Sequence, residues 1–275
     1  MAGHVISLYL KENGHDVTGF DLRKSNLVDS IAGDATDFAS LKRIITEGEY
    51  DIVINCIGIL NQFAESNKPL AVLLNGYLPH FLADATADMP TRIIHMSTDC
   101  VFSGKKGAYT ETDFQDGELF YDRSKAIGEL NDDKNITLRN SIVGPDINEN
   151  GIGLLNWFMK QSGTIKGYTG AIWTGQTTLQ LAKTMEQAAK CGATGLFNAV
   201  PEKSINKFDL LTLFNESIRK EPLIIEPFDD FKCDKSLVRT NFEGFSYKIP
   251  DYETMVKELG EWMREHKSLY PHYNL

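Results

Sequence analysis

The amino-acid sequence predicts an α/β protein: a doubly wound parallel sheet with a smaller C-terminal part folded against it. Three observations carry this. Short apolar runs that read as buried strands alternate with helix-period stretches through the first half of the chain. Past residue 145 the alternation loosens into segments rich in Gly, Asn and Thr. The chain then closes on an amphipathic helix, DYETMVKELGEWMREHKSLY.

The elements follow in order. Val5, Ile6, Leu8, Tyr9 and Leu10 give the opening residues a helical face, which Asn13 and Gly14 end, since both tolerate a left-handed cap. DVTGFD reads as the next strand, and ASLKRIITEG as the helix after it. YDIVINCIG is a buried strand, AVLLNGYLPHFLADATA a long helix, and RIIHMST another buried strand. ITLRNSIVG, GLFNAV and PLIIEPF continue the buried-strand series. No internal repeat, low-complexity tract or linker interrupts the chain.

The chain has 275 residues and a net charge of −10. An acidic balance argues against non-specific nucleic-acid binding, which needs a basic face. No apolar run approaches the roughly 20 residues that span a bilayer, so no membrane partner is expected. The opening residues lack the basic and apolar regions of a secretory leader. Cys56, Cys100, Cys191 and Cys233 form no C-x-x-C pair and read as reduced thiols of a cytoplasmic protein, with neither disulfide nor metal expected.

The opening helix starts too early. In a Rossmann-like sheet the first strand leads through a glycine turn into the first helix. Here Gly3 already lies inside that helix, and Asp21 ends the following strand eighteen residues later. That interval suits the acid that holds a ribose hydroxyl. The expectation is that the first strand and glycine turn are missing from these residues, and that Met1 belongs to a pattern G-x-x-G-M-A-G-H. Gly3 taken alone is equally an ordinary glycine near a terminus.

RIIHMSTDCVFSG is the strongest local signal. A buried strand ends in Ser97, Thr98 and Asp99, and in open α/β sheets ligands bind outside the carboxyl ends of strands. YDRSKAIGEL follows, with Tyr121 and Lys125 four apart on one helix face. A carbonyl that accepts a hydride must also gain a proton. A free tyrosine titrates near ~10, too high for easy exchange, and a nearby ammonium would lower that value. Thr98 would bond the substrate oxygen, and Lys125 would tune Tyr121 and hold a cofactor ribose. Each piece alone is common: a Tyr–Lys pair at this spacing often decorates a surface, and Ser-Thr after a strand often forms a turn. His95, inside its strand, reads as a satisfied core histidine rather than a base.

The combination resembles the extended short-chain dehydrogenase/reductase superfamily, and within it the dTDP-4-dehydrorhamnose reductase-like branch of nucleotide-sugar 4-ketoreductases. STDCVFSGKKGAYTETD is similar to the branch pattern S-T-D-Y-V-F-x-G with its following E-x-D loop, and YDRSKAIGE to Y-x-x-S-K-x-x-G-E. INCIGILNQFAESNKPLAVLLNGYLPHFLA resembles the segment that passes the cofactor, GDATD a stretch near the adenine, and ITLRNSIVGP the strand carrying substrate-facing loops. The tail DKSLVRTNFEGFSYKIPDYETMVKELGEWM resembles the branch's ending.

The resemblance implies an NAD(P)H-dependent reductase of a nucleotide-linked 4-keto-6-deoxy sugar in polysaccharide-precursor synthesis. Thr98, Tyr121 and Lys125 would be catalytic. Gly3, Asp21, Arg23, Asp34, Ile57, Gly58, Tyr121 and Lys125 would bind NADPH or NADH; Asp21 suits free ribose hydroxyls, and Arg23 a 2′-phosphate. Ser97, Thr98, Asn140, Trp173 and Arg239 are candidates to face the substrate; Trp173 could stack on base or sugar although a tryptophan is more often packing, and Arg139 and Arg239 could meet the diphosphate although lone arginines are usually solvated or ion-paired. Residues 1–145, rejoined by 176–200, would form the N-terminally incomplete cofactor part, and 146–175 with 201–275 the substrate part. GYTGAIWTGQTTLQLA departs from the branch and suggests another sugar, such as an acetamido-deoxyhexose. An epimerase or dehydratase of the superfamily, and a non-catalytic reductase-like subunit, remain open, as does a homodimer.

Overall fold

The computed structural model describes residues 1–275. Helix α1, Ala2–Glu12, buries Val5, Ile6 and Leu8 and stops where expected, with Gly14 at φ 84° and His15 N–H donating back to the Leu10 carbonyl. β1 (Thr18–Asp21) pairs in parallel with β2 (Asp29–Ala32), a strand the sequence pattern did not announce because only Ile31 in it is strongly apolar. Helix α2 (Phe38–Gly48) is capped by Asp37, whose carboxylate accepts from Ser40 N–H at 3.0 Å, and it buries Leu41 and Ile45.

β3 (Ile52–Asn55) precedes two short helices, α3 (Asn61–Ser66) and α4 (Lys68–Ala71), a π-helical segment at Val72–Tyr77, and α5 (Leu78–Ala85). Then come β4 (Arg92–Ser97), α6 (Phe120–Ile127) and β5 (Ile136–Arg139). The run ITLRNSIVG is two strands, because the chain leaves the ladder at Asn140 and β6 (Ser141–Val143) joins a different pair.

Past residue 145 the chain is richer in strands than its pattern suggested: α7 (Leu154–Met159), β7 (Thr164–Tyr168), β8 (Ala171–Trp173) and β9 (Gly175–Thr177) lead to α8 (Thr178–Cys191). β10 (Gly195–Asn198), β11 (Ile205–Asn206), α9 (Lys207–Ser217), β12 (Ile224–Phe228), β13 (Cys233–Asp234) and α10 (Tyr252–Glu265) complete it. The expectation that PLIIEPF is a buried strand of the series is corrected. β12 pairs only with β7, Ile224 is exposed, and Pro227 lacks an N–H, which confines such a strand to an edge.

The main sheet runs β10-β5-β4-β3, all parallel, while β1-β2 stands as a separate parallel pair with no ladder to β3. A large core lies on one face, where α1, α8 and α10 pack over Ile94, Ile136 and Leu138. A smaller one lies on the other, where α2 and α5 bring Leu41, Ile45, Leu78 and Leu82 onto Ile93. No helix is long and apolar enough to cross a membrane.

Candidate active site

Pairing in the main sheet sets Asn55, His95 and Thr137 side by side across β3, β4 and β5. Strand alternation turns Ile93, His95 and Ser97 toward the face that α6 covers. His95 meets Lys125 of α6, and Thr137 accepts from Leu130 N–H just after that helix.

After Ser97 the chain turns through Thr98, which is extended (φ −144°, ψ 152°), into one 3₁₀ turn at Asp99–Val101. Thr98 Oγ1 accepts from Cys100 N–H at 3.1 Å, so the hydroxyl caps the turn it introduces. The same side chain lies beside the Tyr121 hydroxyl and opposes the upward push that burial gives it. Tyr121 is buried beside Ala64 and Ala71, and burial, with Cys100 next in weight, pushes its hydroxyl far above the usual phenol value. The structure thus brings Thr98 and Tyr121 together. Lys125 makes no hydrogen bond to the Tyr121 hydroxyl. Lys125 Nζ instead lies against β4, 2.8 Å from the Met96 carbonyl and 3.4 Å from His95 Nε2, and burial lowers it to about 8.

Helix α6 is held by partners that the motif reading missed. Asn75, in the π-helical segment, accepts from Ile59 N–H at 2.7 Å, donates to the Ile59 carbonyl at 2.9 Å and to Ser124 Oγ at 3.0 Å. One buried amide thus ties the loop after β3, which holds Ile57 and Gly58, to the helix that carries Tyr121 and Lys125. π-Helical insertions recur at functional sites because they re-aim a side chain. The sequence signal was a lone Asn in the apolar run VLLNGY. Gly128 lets the two elements touch: a Cβ there would collide with the Asn75 carbonyl oxygen. The glycine of Y-x-x-S-K-x-x-G-E is thereby explained by close approach.

Glu129, also missed, explains the acid of that motif. Its carboxylate takes the Arg139 fork, from Nε at 2.9 Å and Nη2 at 2.6 Å, and accepts from Ser97 Oγ at 2.6 Å. Two substrate expectations fall with this arrangement. Ser97 is buried with its hydroxyl committed to Glu129, and Arg139, 1 % exposed and 5.0 Å over the Phe102 ring, is bound to Glu129 and closed to a diphosphate. Arg239 is corrected likewise: its guanidinium donates to the carbonyls of Asn241, Phe245 and Tyr247 and lies against Phe242 and Phe245. Trp173 is buried against Tyr252 with Lys207 Nζ 4.9 Å over its ring, so it packs behind the site instead of offering a face to a base or sugar. Asn140 is buried, donates to the Ser141 carbonyl at 3.1 Å, and leaves its Oδ1 without a protein partner.

The remaining expected residues line the strand ends. Asp21 ends β1 and is exposed, as is Arg23. Asp34 is exposed and closes an Asx turn on Thr36, whose N–H and hydroxyl both donate at 2.8 Å and lower the carboxyl's pKa. Ile57 N–H donates to Asn55 Oδ1 at 3.0 Å, and a Cβ on exposed Gly58 would meet Asn75 Oδ1 at 3.1 Å. Gly3 lies in the first turn of α1 with nothing within 4 Å of where its Cβ would stand.

Comparison with known proteins places this arrangement. The chain is 27 % identical over 239 residues to a probable low-salt glycan biosynthesis reductase, Agl14, of Haloferax volcanii, covering 82 % of this chain and 80 % of that one. Its fold is similar to that of a dTDP-4-dehydrorhamnose reductase from Bacillus anthracis solved in complex with NADP (TM-score 0.70, 18 % identity, 84 % of this chain and 89 % of that one). It is also similar in fold to a UDP-N-acetylglucosamine 4-epimerase from Methanobrevibacter ruminantium (TM-score 0.76, 18 % identity, 97 % of this chain and 96 % of that one). The family model described as the RmlD substrate binding domain matches residues 2–241, and the chain belongs to that family.

Proposed function

We propose that the protein is an NAD(P)H-dependent oxidoreductase that reduces the keto group of a nucleotide-linked 4-keto-6-deoxy sugar in polysaccharide-precursor synthesis. The observation that carries the reading is the Thr98–Tyr121 pair at the carboxyl end of β4, with Lys125 one turn along the same helix, in a chain of this family. The names of its relatives support it. Asp21, Arg23 and Asp34 at the ends of β1 and β2, the open backbone at Ile57 and Gly58, and Lys125 under β4 fit the riboses and adenine of a nicotinamide dinucleotide. The first turn of α1, with no side-chain cap, offers N–H groups to phosphate. Either NADPH or NADH suits these residues, and the bound nucleotide supplies the hydride.

In this reading Thr98 Oγ1 bonds the keto oxygen and orients it, and Tyr121 delivers the proton to the developing alkoxide. A phenol that burial holds protonated is a proton donor throughout the neutral range. Burial of the pair keeps water from the reacting carbonyl. Residues 1–145 with 176–200 serve the cofactor, and 146–175 with 201–275 the sugar nucleotide. The sugar is an acetamido-deoxyhexose or a related deoxyhexose, and the protein acts in the cytoplasm, as a homodimer.

Oxidation of NADPH or NADH by dTDP-4-dehydrorhamnose, followed by the absorbance of the reduced nicotinamide, tests the proposal. Wild type consumes cofactor in proportion to sugar, and Tyr121→Phe keeps substrate affinity while losing turnover. Sugar conversion without net cofactor consumption would favour an epimerase, and retained turnover in Tyr121→Phe would refute the role of Tyr121.

A further inference from the structure

His95 is fully buried in β4, yet it is the residue that Lys125 meets. The hydrogen bonds around it fix its protonation. Asn55 Oδ1 accepts from Ile57 N–H at 3.0 Å, which sets the amide orientation and turns Asn55 Nδ2 toward His95 Nδ1 at 3.2 Å. An amide nitrogen only donates, so His95 Nδ1 must accept and carries no proton. A neutral imidazole then has its proton on Nε2, and Nε2 faces Lys125 Nζ at 3.4 Å. An ammonium has no lone pair to receive that N–H; an uncharged amine has one, and keeps two hydrogens, one of which reaches the Met96 carbonyl at 2.8 Å.

We infer that His95 is a positioning residue that stabilises the uncharged amine of Lys125 and holds it against β4, through a relay in which Asn55 donates to His95 and His95 donates to Lys125. The inference rests on the placing of Lys125 in the site proposed above, and adds a control on when that lysine carries charge. Below its titration midpoint Lys125 gains a proton, loses the bond from His95 and is repelled by the Nε2–H; above it the relay closes. The other ionisable groups facing the pair are Glu129 beyond the end of α6 and Cys56 beyond β3, which both favour the ammonium, and His80 of α5, which disfavours charge on His95. Thr137 of β5, the neighbour of His95 in the sheet, is uncharged and accepts from Leu130 N–H. Burial acts in the same direction as the relay, lowering both His95 and Lys125.

The test needs no substrate. In protein labelled at histidine and lysine, nitrogen-15 correlation spectra report the His95 tautomer, and the Lys125 Cε resonance, assigned by its loss in Lys125→Met, reports the amine's titration. The expected result is the Nε2–H tautomer for His95 across the neutral range and a Lys125 midpoint well below those of the exposed lysines. In His95→Leu the midpoint rises by about one pH unit, a tenfold change in the charged-to-neutral ratio, as loss of one hydrogen bond to the neutral form requires. In His95→Gln, whose amide can donate, the midpoint returns toward wild type. A proton on Nδ1, an imidazolium, or a Lys125 that titrates with the surface lysines in wild type would overturn the relay, without need of any variant. A closed relay in a protein that turns over no keto-sugar would leave the inference standing and refute the reductase reading.

Discussion

Replacing Glu129 by Gln removes one charge from a buried pair and leaves nearly all the shape. Arg139 is 1 % exposed and finds no other anion: its remaining contacts are Asn198 Oδ1 at 3.3 Å and the Phe102 ring. Breaking a buried pair from one side typically costs about 3–5 kcal/mol, because the surviving charge stays buried. Spread over the unfolding entropy of a chain this long, that loss lowers the melting temperature by roughly 5–9 °C. Thermal and urea unfolding measure it. The double variant Glu129→Gln, Arg139→Met should recover much of the loss, since neither charge is then stranded. A fall of less than about 1 kcal/mol in the single variant, or a double variant no better than the single, would refute the view that this pair anchors the end of β5 to the segment after α6.

Gly128→Ala forces α6 away from the Asn75 carbonyl and should cost roughly 1–3 kcal/mol in urea unfolding, with turnover falling alongside. Lys125→Met should be more stable than wild type at neutral pH. The folded pKa of Lys125 is lowered to about 8, below its unfolded value, so between the two the unfolded chain binds more protons. Wild-type stability therefore rises relative to Lys125→Met as pH climbs from 8 toward the unfolded value; a parallel pH dependence of the two proteins would contradict the shift. Arg239→Met should lower stability through its three carbonyl partners while leaving the KM for a sugar nucleotide within about twofold; a tenfold rise in KM would restore Arg239 to the substrate site.

The proposed trio was partly legible because its pieces are local: Thr98 follows a buried strand, and Tyr121 and Lys125 share one helix face by their spacing. Which way each side chain is spent was not legible, because that depends on partners far along the chain. Ser97 looks like part of an S-T-D site until Glu129 takes its hydroxyl, and Arg139 looks like a phosphate ligand until the same carboxylate takes its fork. Lys125 at four residues from Tyr121 suggests an ammonium beside a phenol, yet the sheet register sets His95 opposite its nitrogen. Strand β2 and the short strands past residue 160 escaped notice because they are only a few residues long and carry no clean alternation.

The most direct measurement is the fate of the hydride. The protein is incubated with NADPH or NADH deuterated at the transferring position and with dTDP-4-dehydrorhamnose, and the product is weighed by mass spectrometry alongside the oxidised cofactor. The predicted result is one deuterium on the sugar carbon that bore the keto group for each cofactor oxidised, abolished in Tyr121→Phe. An unlabelled sugar with the cofactor unchanged would contradict the reductase assignment.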